Sequence, residues 1–167
     1  MNRVILLEQL KAFTLEATKD LIMPTKIQEE GEEQQYRAAD VYLMQLPDWS
    51  SAKKKVPYII HQAITGRDSH APGERETGSA TVRTIFAVYN DDGQEGGLML
   101  LNLMERLRIA LLRKVVIGGQ FQLDLEAGIE SFIYPDTDKI APYYAGEMSS
   151  VWRMPAVERE VDSRWNM

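Results

Sequence analysis

The sequence predicts an α+β fold, a largely antiparallel sheet covered by two helices within a single domain spanning residues 1–167. Three observations predict it. Stretches 3–22 and 90–114 carry apolar residues at helical spacing, several shorter stretches alternate apolar and polar residues with a period of two, and neither a repeat nor a domain boundary divides the chain.

The first helix, RVILLEQLKAFTLEATKDLI (3–22), lines Leu6, Leu10, Phe13, Ala17 and Leu21 along one stripe. Pro24 ends it, because proline cannot continue the hydrogen-bond ladder. Residues 27–35 gather four glutamates around Gly31 and read as an exposed linker. Residues 36–49 read as a strand ending at Pro47, followed by a polar loop with Lys53, Lys54 and Lys55. VPYIIHQAI (56–64) is rich in β-branched and aromatic residues and predicts a second strand. SATVRTIFAVY (79–89) predicts a third, with Ala80, Val82, Thr84, Phe86 and Val88 on one face. The segment between them, TGRDSHAPGERETG (65–78), has three glycines, a proline and no large apolar residue. It predicts a mobile loop, longer than the roughly two to five residues a hairpin needs.

In NDDGQEGGLMLLNLMERLRIALLRK, Asn90, Asp91 or Asp92 can cap a helix whose first turn holds Glu95 and whose last holds Arg113 and Lys114. Leu100, Leu103, Met104, Leu107 and Leu111 form its buried stripe, with Asn102, Glu105, Arg106 and Arg113 outward. QFQLDLE (120–126) then points Phe121, Leu123 and Leu125 inward, a half-buried strand. IESFIY (129–134) is another strand or its hairpin partner, stopped by Pro135. YYAGEMSSVWRM closes the sheet with Met148, Ser150, Trp152 and Met154 on one face, so that Met148, Trp152 and Met154 are its expected core; residues 156–167 extend as a charged tail.

Composition narrows the function. The chain is 44% hydrophobic and 26% charged, as soluble globular domains are. No apolar run approaches the roughly 18–20 residues of a membrane span, and the run at 4–7 is too short for a signal core. A net charge of −6 disfavours nucleic-acid binding, which needs a basic field. With no cysteine there is no disulfide, thiol nucleophile or zinc–thiolate site.

The remaining chemistry-bearing residues form no recognised motif. His61 lies within an apolar strand and reads as a satisfied core or sheet-surface histidine. Asp68, Ser69 and His70 are adjacent on a loop, whereas a triad is a spatial arrangement held by a rigid scaffold. NDDGQE lacks the ligand spacing of a calcium loop, and Asp136 and Asp138 read as turn residues. The sequence therefore predicts no catalytic residue, no metal and no cofactor.

Several stretches resemble one known family. VPYIIHQAITG after an N-terminal helix, the strand running into YNDDGQEGGLMLLNLMERLRIAL, and the ending YYAGEMSSVWRMPAVERE resemble the tail terminator proteins of long-tailed bacteriophages, the lambda-like terminator among them. The ending carries Tyr144, Gly146, Glu147, Trp152, Arg153, Met154 and Pro155 at matching places, and the resemblance covers about residues 56–160. It implies a phage or prophage virion protein, assembled in the bacterial cytoplasm. Such a protein forms a ring of its own copies, a hexamer, at the head-proximal end of the tail tube. It ends tube growth there and offers a surface to the head connector. Its partners are then itself, the tube protein and connector proteins, with no membrane and no nucleic-acid sequence. Charged residues outside the expected core, Arg67, Asp68, Glu74, Arg75, Glu76 and Arg159, are the candidate ring or partner contacts. A neck or head–tail joining component is the alternative of the same kind; a small-molecule-binding or enzymatic prophage cargo domain is the alternative of another.

Overall fold

A computed structural model describes residues 2–26, 30–48, 52, 55–135, 141–158 and 160. Lys53, Lys54, Asp136, Asp138 and Arg159 lie outside the described residues. In chain order the elements are α1 (Arg3–Thr18), β1 (Met23–Pro24), β2 (Tyr36–Arg37), β3 (Asp40–Leu43), β4 (Tyr58–Ser69), β5 (Thr77–Tyr89), α2 (Gly93–Lys114), β6 (Val116–Ile117), β7 (Phe121–Leu123), β8 (Glu130–Ile133) and β9 (Tyr143–Met154). The α+β class is as the sequence predicts.

The main sheet has seven strands in the order β3-β4-β5-β9-β7-β6, with β8 paired to β9 beside β7. Its ladders are antiparallel except for β3 and β4, which run parallel. Strand alternation sends Ala80, Val82, Thr84, Phe86 and Val88 of β5, and Tyr144, Met148, Ser150 and Trp152 of β9, to one buried face. Both helices pack on that face. α2 presents Leu100, Leu103, Met104, Leu107 and Leu111, the expected stripe, and Asp92 is the residue that caps it, accepting from the Gln94 N–H at 2.9 Å. Close approach of α2 to β9 depends on Gly96, because a Cβ there would sit 2.1 Å from the Tyr144 ring. A smaller cluster of Leu46, Val56, Tyr58, Ile60, Ala87 and Tyr89 covers one end of the other face.

Several expectations are corrected. α1 stops at Thr18, short of Pro24, since the Thr18 hydroxyl donates to the Thr14 carbonyl and the Leu21 N–H turns back to the Thr18 carbonyl. Pro24 stands instead in β1, opposite Tyr36. The buried stripe of α1 is Leu6, Leu7, Leu10, Thr14 and Thr18, with Phe13, Ala17 and Leu21 only half-buried. An apolar count misses it because two buried positions are threonines, one bound to a buried imidazole through its hydroxyl and the other to the Thr14 carbonyl. The strand expected over 36–47 is two short pieces, β2 and β3. Leu125 leaves the sheet: the Asp124 carboxylate accepts from the backbone N–H groups of Glu126 and Ala127, turning the chain, and Leu125 is 56% exposed. Of the two readings of 129–134 only the hairpin partner of β7 is excluded: β8 is a strand in its own right, as the other reading has it, and pairs with β9. Met154 is half-buried, while Met148 and Trp152 are fully buried.

The largest correction concerns 65–78. The ladder between β4 and β5 runs to Ser69 and Thr77, so only 70–76 connect the strands. The stretch is polar because it leaves the covered part of the sheet, while its backbone groups remain satisfied by the neighbouring strand.

His61 is wholly buried with both ring nitrogens engaged, Nε2 with the Thr14 hydroxyl at 2.7 Å and Nδ1 with the Thr84 hydroxyl at 2.9 Å. A neutral ring donates through one nitrogen and accepts through the other, so the three side chains satisfy one another and tie α1 to β4 and β5. Burial pushes the imidazole down to about 3.

Two outcomes follow from this core. Trp152→Ala should lose about 3–5 kcal/mol in urea denaturation, because it empties a fully buried site; Leu125→Ala should stay within about 0.5 kcal/mol of wild type. Equal losses at the two sites would contradict the burial described. His61 sets a pH dependence. Its contribution is present in full above the unfolded histidine value near 6.5 and is lost as pH falls toward 3, by at most about 1.4 kcal/mol per pH unit. Denaturation midpoints from pH 7 to 4 should fall more steeply in the wild type than in His61→Gln, whose amide both donates and accepts but does not titrate there.

Candidate interaction surfaces

β4, β5 and β9 run side by side to one end of the sheet, where Asp68 faces Gly78 and Gly78 faces Met154. The arm so formed bends at a bulge between Ala63 and Thr65, which leaves Ile64 exposed. It is pinned by the N-terminal helix. The Arg3 guanidinium donates to the Ser79 carbonyl at 3.3 and 3.0 Å and to the Asp68 carboxylate at 3.0 Å. It lies against the strand because residue 66 is glycine; a Cβ there would stand 2.3 Å from Arg3 Nε.

At the tip, Asp68, Ser69, His70, Glu76 and Thr77 line a cleft of about 430 Å³ with residues 156–158. His70 Nδ1 lies 3.5 Å from a Glu76 carboxylate oxygen, and the Ser69 and Thr77 hydroxyls are 3.0 Å apart. Asp68, Ser69 and His70 thus face three different partners and do not assemble into a triad. Of the charged residues expected to meet a partner, Arg67, Glu74 and Arg75 are exposed on the arm, while Asp68 and Glu76 already take part in these contacts. Among the described residues, no group of three or more His, Cys, Asp or Glu could hold a metal ion.

Two further surfaces are not among the candidates the sequence offers. On the opposite side of the sheet β8 is exposed along its length, with Phe132 at 53%, and no other described strand pairs with its outer edge. Beside it, Tyr134 donates to Glu147 at 3.0 Å, and Glu147 also binds Arg83 at 2.6 Å. Burial, then the Glu147 carboxylate, pushes the Tyr134 hydroxyl up. The second surface is the outer side of α2, where Leu98, Leu101, Ile109 and Leu112 are exposed. The signal was present: these residues recur at helical spacing about half a turn away from the buried stripe.

Five residues of the ending on which the resemblance rests have structural roles here. Tyr144 fills the space over Gly96, and the Met104 sulfur lies 2.9 Å from where a Cβ on Gly146 would be. Glu147 binds Arg83, the buried Trp152 donates to Ser150 at 2.9 Å, and Arg153 reaches Asp124 at 3.3 Å. Backbone donation from Ala127, then Arg153, holds the Asp124 carboxyl below its ordinary value. The chain matches no protein-family model and no curated protein. No helix among the described residues is long and apolar enough to cross a membrane.

Because Gly66 makes room for Arg3, Gly66→Ala and Arg3→Ala should loosen the same contact. Each should speed amide exchange at 66–69, and the double variant should add little to either single one. Additive effects would mean that the glycine and the arginine act separately.

Proposed function

We propose that the chain is a ring-forming virion subunit of a long-tailed phage or prophage: a hexamer that caps the head-proximal tail tube, stops its growth and receives the head connector. Its working place is then the tail of the virion, after assembly in the bacterial cytoplasm.

The observation that carries this reading, together with the resemblance, is the pair of unlike open edges on the sheet. A cyclic ring needs two different surfaces on opposite sides of each subunit. β4 beyond His61 offers one, an edge that no described strand covers and that bears Ile64, Arg67 and Asp68. β8 offers the other, with Glu130 and Phe132. An unpaired edge is a template for another strand. Counting through the ladders, β8 runs opposite to β4, so β8 of one copy meets β4 of the next in antiparallel sense. Arg67 and Glu130 supply opposite charges for that contact. The short 70–76 connection and the segment after β9 then stand at one end of the ring, where a tube or connector would contact it.

Phe132→Glu puts a charge into the β8 contact without touching the core. Native mass spectrometry should find a ring for the wild type, alone or on tail tubes, and folded single subunits for the variant. Phage carrying the variant should make tails of uncontrolled length or tails that fail to join heads. Rings and tails of normal form from Phe132→Glu, or a wild type that stays monomeric even with tail tubes, would overturn the reading.

A further inference from the structure

α2 has two apolar faces and the fold uses one. Leu98, Leu101, Ile109 and Leu112 are 63%, 41%, 40% and 38% exposed on the side turned away from the sheet. Beside them runs a groove of about 310 Å³ along Asn102, Glu105, Arg106, Ile109, Ala110 and Arg113. A helix that is apolar on its outer side as well as its inner one has surface for a second partner.

The spacing of the exposed residues points to what that partner is. Leu98 and Leu112 lie seven residues either side of Glu105, and Leu101 and Ile109 lie four either side. The pattern reads the same from both ends, so an antiparallel copy of the helix sets Leu98 against Leu112 and Leu101 against Ile109. The charges follow the same order. Glu95 lies in the first turn, and Arg113 and Lys114 lie in the last. Antiparallel copies bring Glu95 near the other copy's Arg113 and Lys114 and oppose the helix dipoles favourably. Parallel copies would stack like charges at both ends. Near the centre, each Glu105 is already bound by its own Arg108, at 2.9 Å to the Arg108 Nε, so its charge is locally balanced. Arg108 itself falls opposite Asn102 in this register.

We propose that two copies of the chain pair through α2, antiparallel about a twofold axis at Glu105. The contact is symmetric and separate from the two sheet edges invoked above, and it stands whether or not those edges close a ring.

The absence of cysteine gives a direct test. In the full chain, Glu105→Cys places two sulfurs on the axis and should form an intermolecular disulfide readily under mild oxidation. Leu101→Cys alone should not, whereas Leu101→Cys with Ile109→Cys in one chain should. Efficient self-crosslinking of the Leu101→Cys single variant, at the level of Glu105→Cys, would mean parallel or random contact and would overturn the proposal. So would failure of Glu105→Cys to crosslink while wild-type protein sediments as a monomer at high concentration. A charge exchange gives an independent readout in sedimentation. Arg113→Glu with Lys114→Glu should weaken pairing at least tenfold, and adding Glu95→Lys should restore it; no restoration would also count against the register. Phe132→Glu should leave the crosslink unchanged, which separates failure of this contact from failure of the ring.

Discussion

The β5–β9 ladder pairs Gly78 with Met154 at one end and Tyr89 with Tyr143 at the other, and the rest of the molecule is hung on it. β4 adds to the far side of β5, and β7 and β8 add to the far side of β9. Alternation along the two strands makes a continuous apolar floor from Val88 and Tyr144 to Ala80 and Trp152, and both helices pack on that floor. Two neighbouring strands of this length leave few choices of register, because a shift by one residue would move Trp152 and Phe86 to the opposite face. The polar ties reinforce the same arrangement. His61 links α1 to β5 through Thr84, and Arg83 links β5 to β9 through Glu147.

Residues buried on one face alone were the most legible in the sequence. β5, β9 and α2 show clean periods because one side of each is covered along its length, and the period places Ala80, Val82, Thr84, Phe86 and Val88, Met148 and Trp152, and the stripe from Leu100 to Leu111 in the core. Failures came where burial and polarity part company. Thr14 and Thr18 are wholly buried yet polar, so an apolar stripe on α1 runs too far round the helix. Residues 65–69 are exposed yet hydrogen-bonded as a strand, so their polarity points to a loop where the backbone forms a ladder. Leu125 fits the alternation of a strand, but Asp124 turns the chain first. The pairing of β8 with β9 depends on a long-range contact that no local pattern encodes.

The same contrast separates fold from function in the candidate sites. Three residues of the ending on which the phage resemblance was drawn are occupied with packing: Tyr144 against Gly96, Gly146 against Met104, Trp152 in the core. Their role in this chain is to hold the scaffold together. The surfaces on which an assembly role would rest, β8 with Phe132, the edge of β4 and the outer face of α2, are built from other residues. Contact surfaces specify partners, and partners differ among proteins that share one architecture.

The place of β9 in the chain also bears on how the protein is made. A ribosome releases β4 and β5 well before β9, with α2 and the three short strands between them. Until residues 143–154 emerge, one whole edge of β5 lacks its neighbour and the floor beneath α2 is only half laid. The growing polypeptide therefore passes through a stage in which a long, apolar strand can pair with whatever is at hand, including another nascent copy. Where several ribosomes translate one message, such strands lie close together, and the interval before β9 arrives becomes the time in which holdase chaperones matter most to this chain.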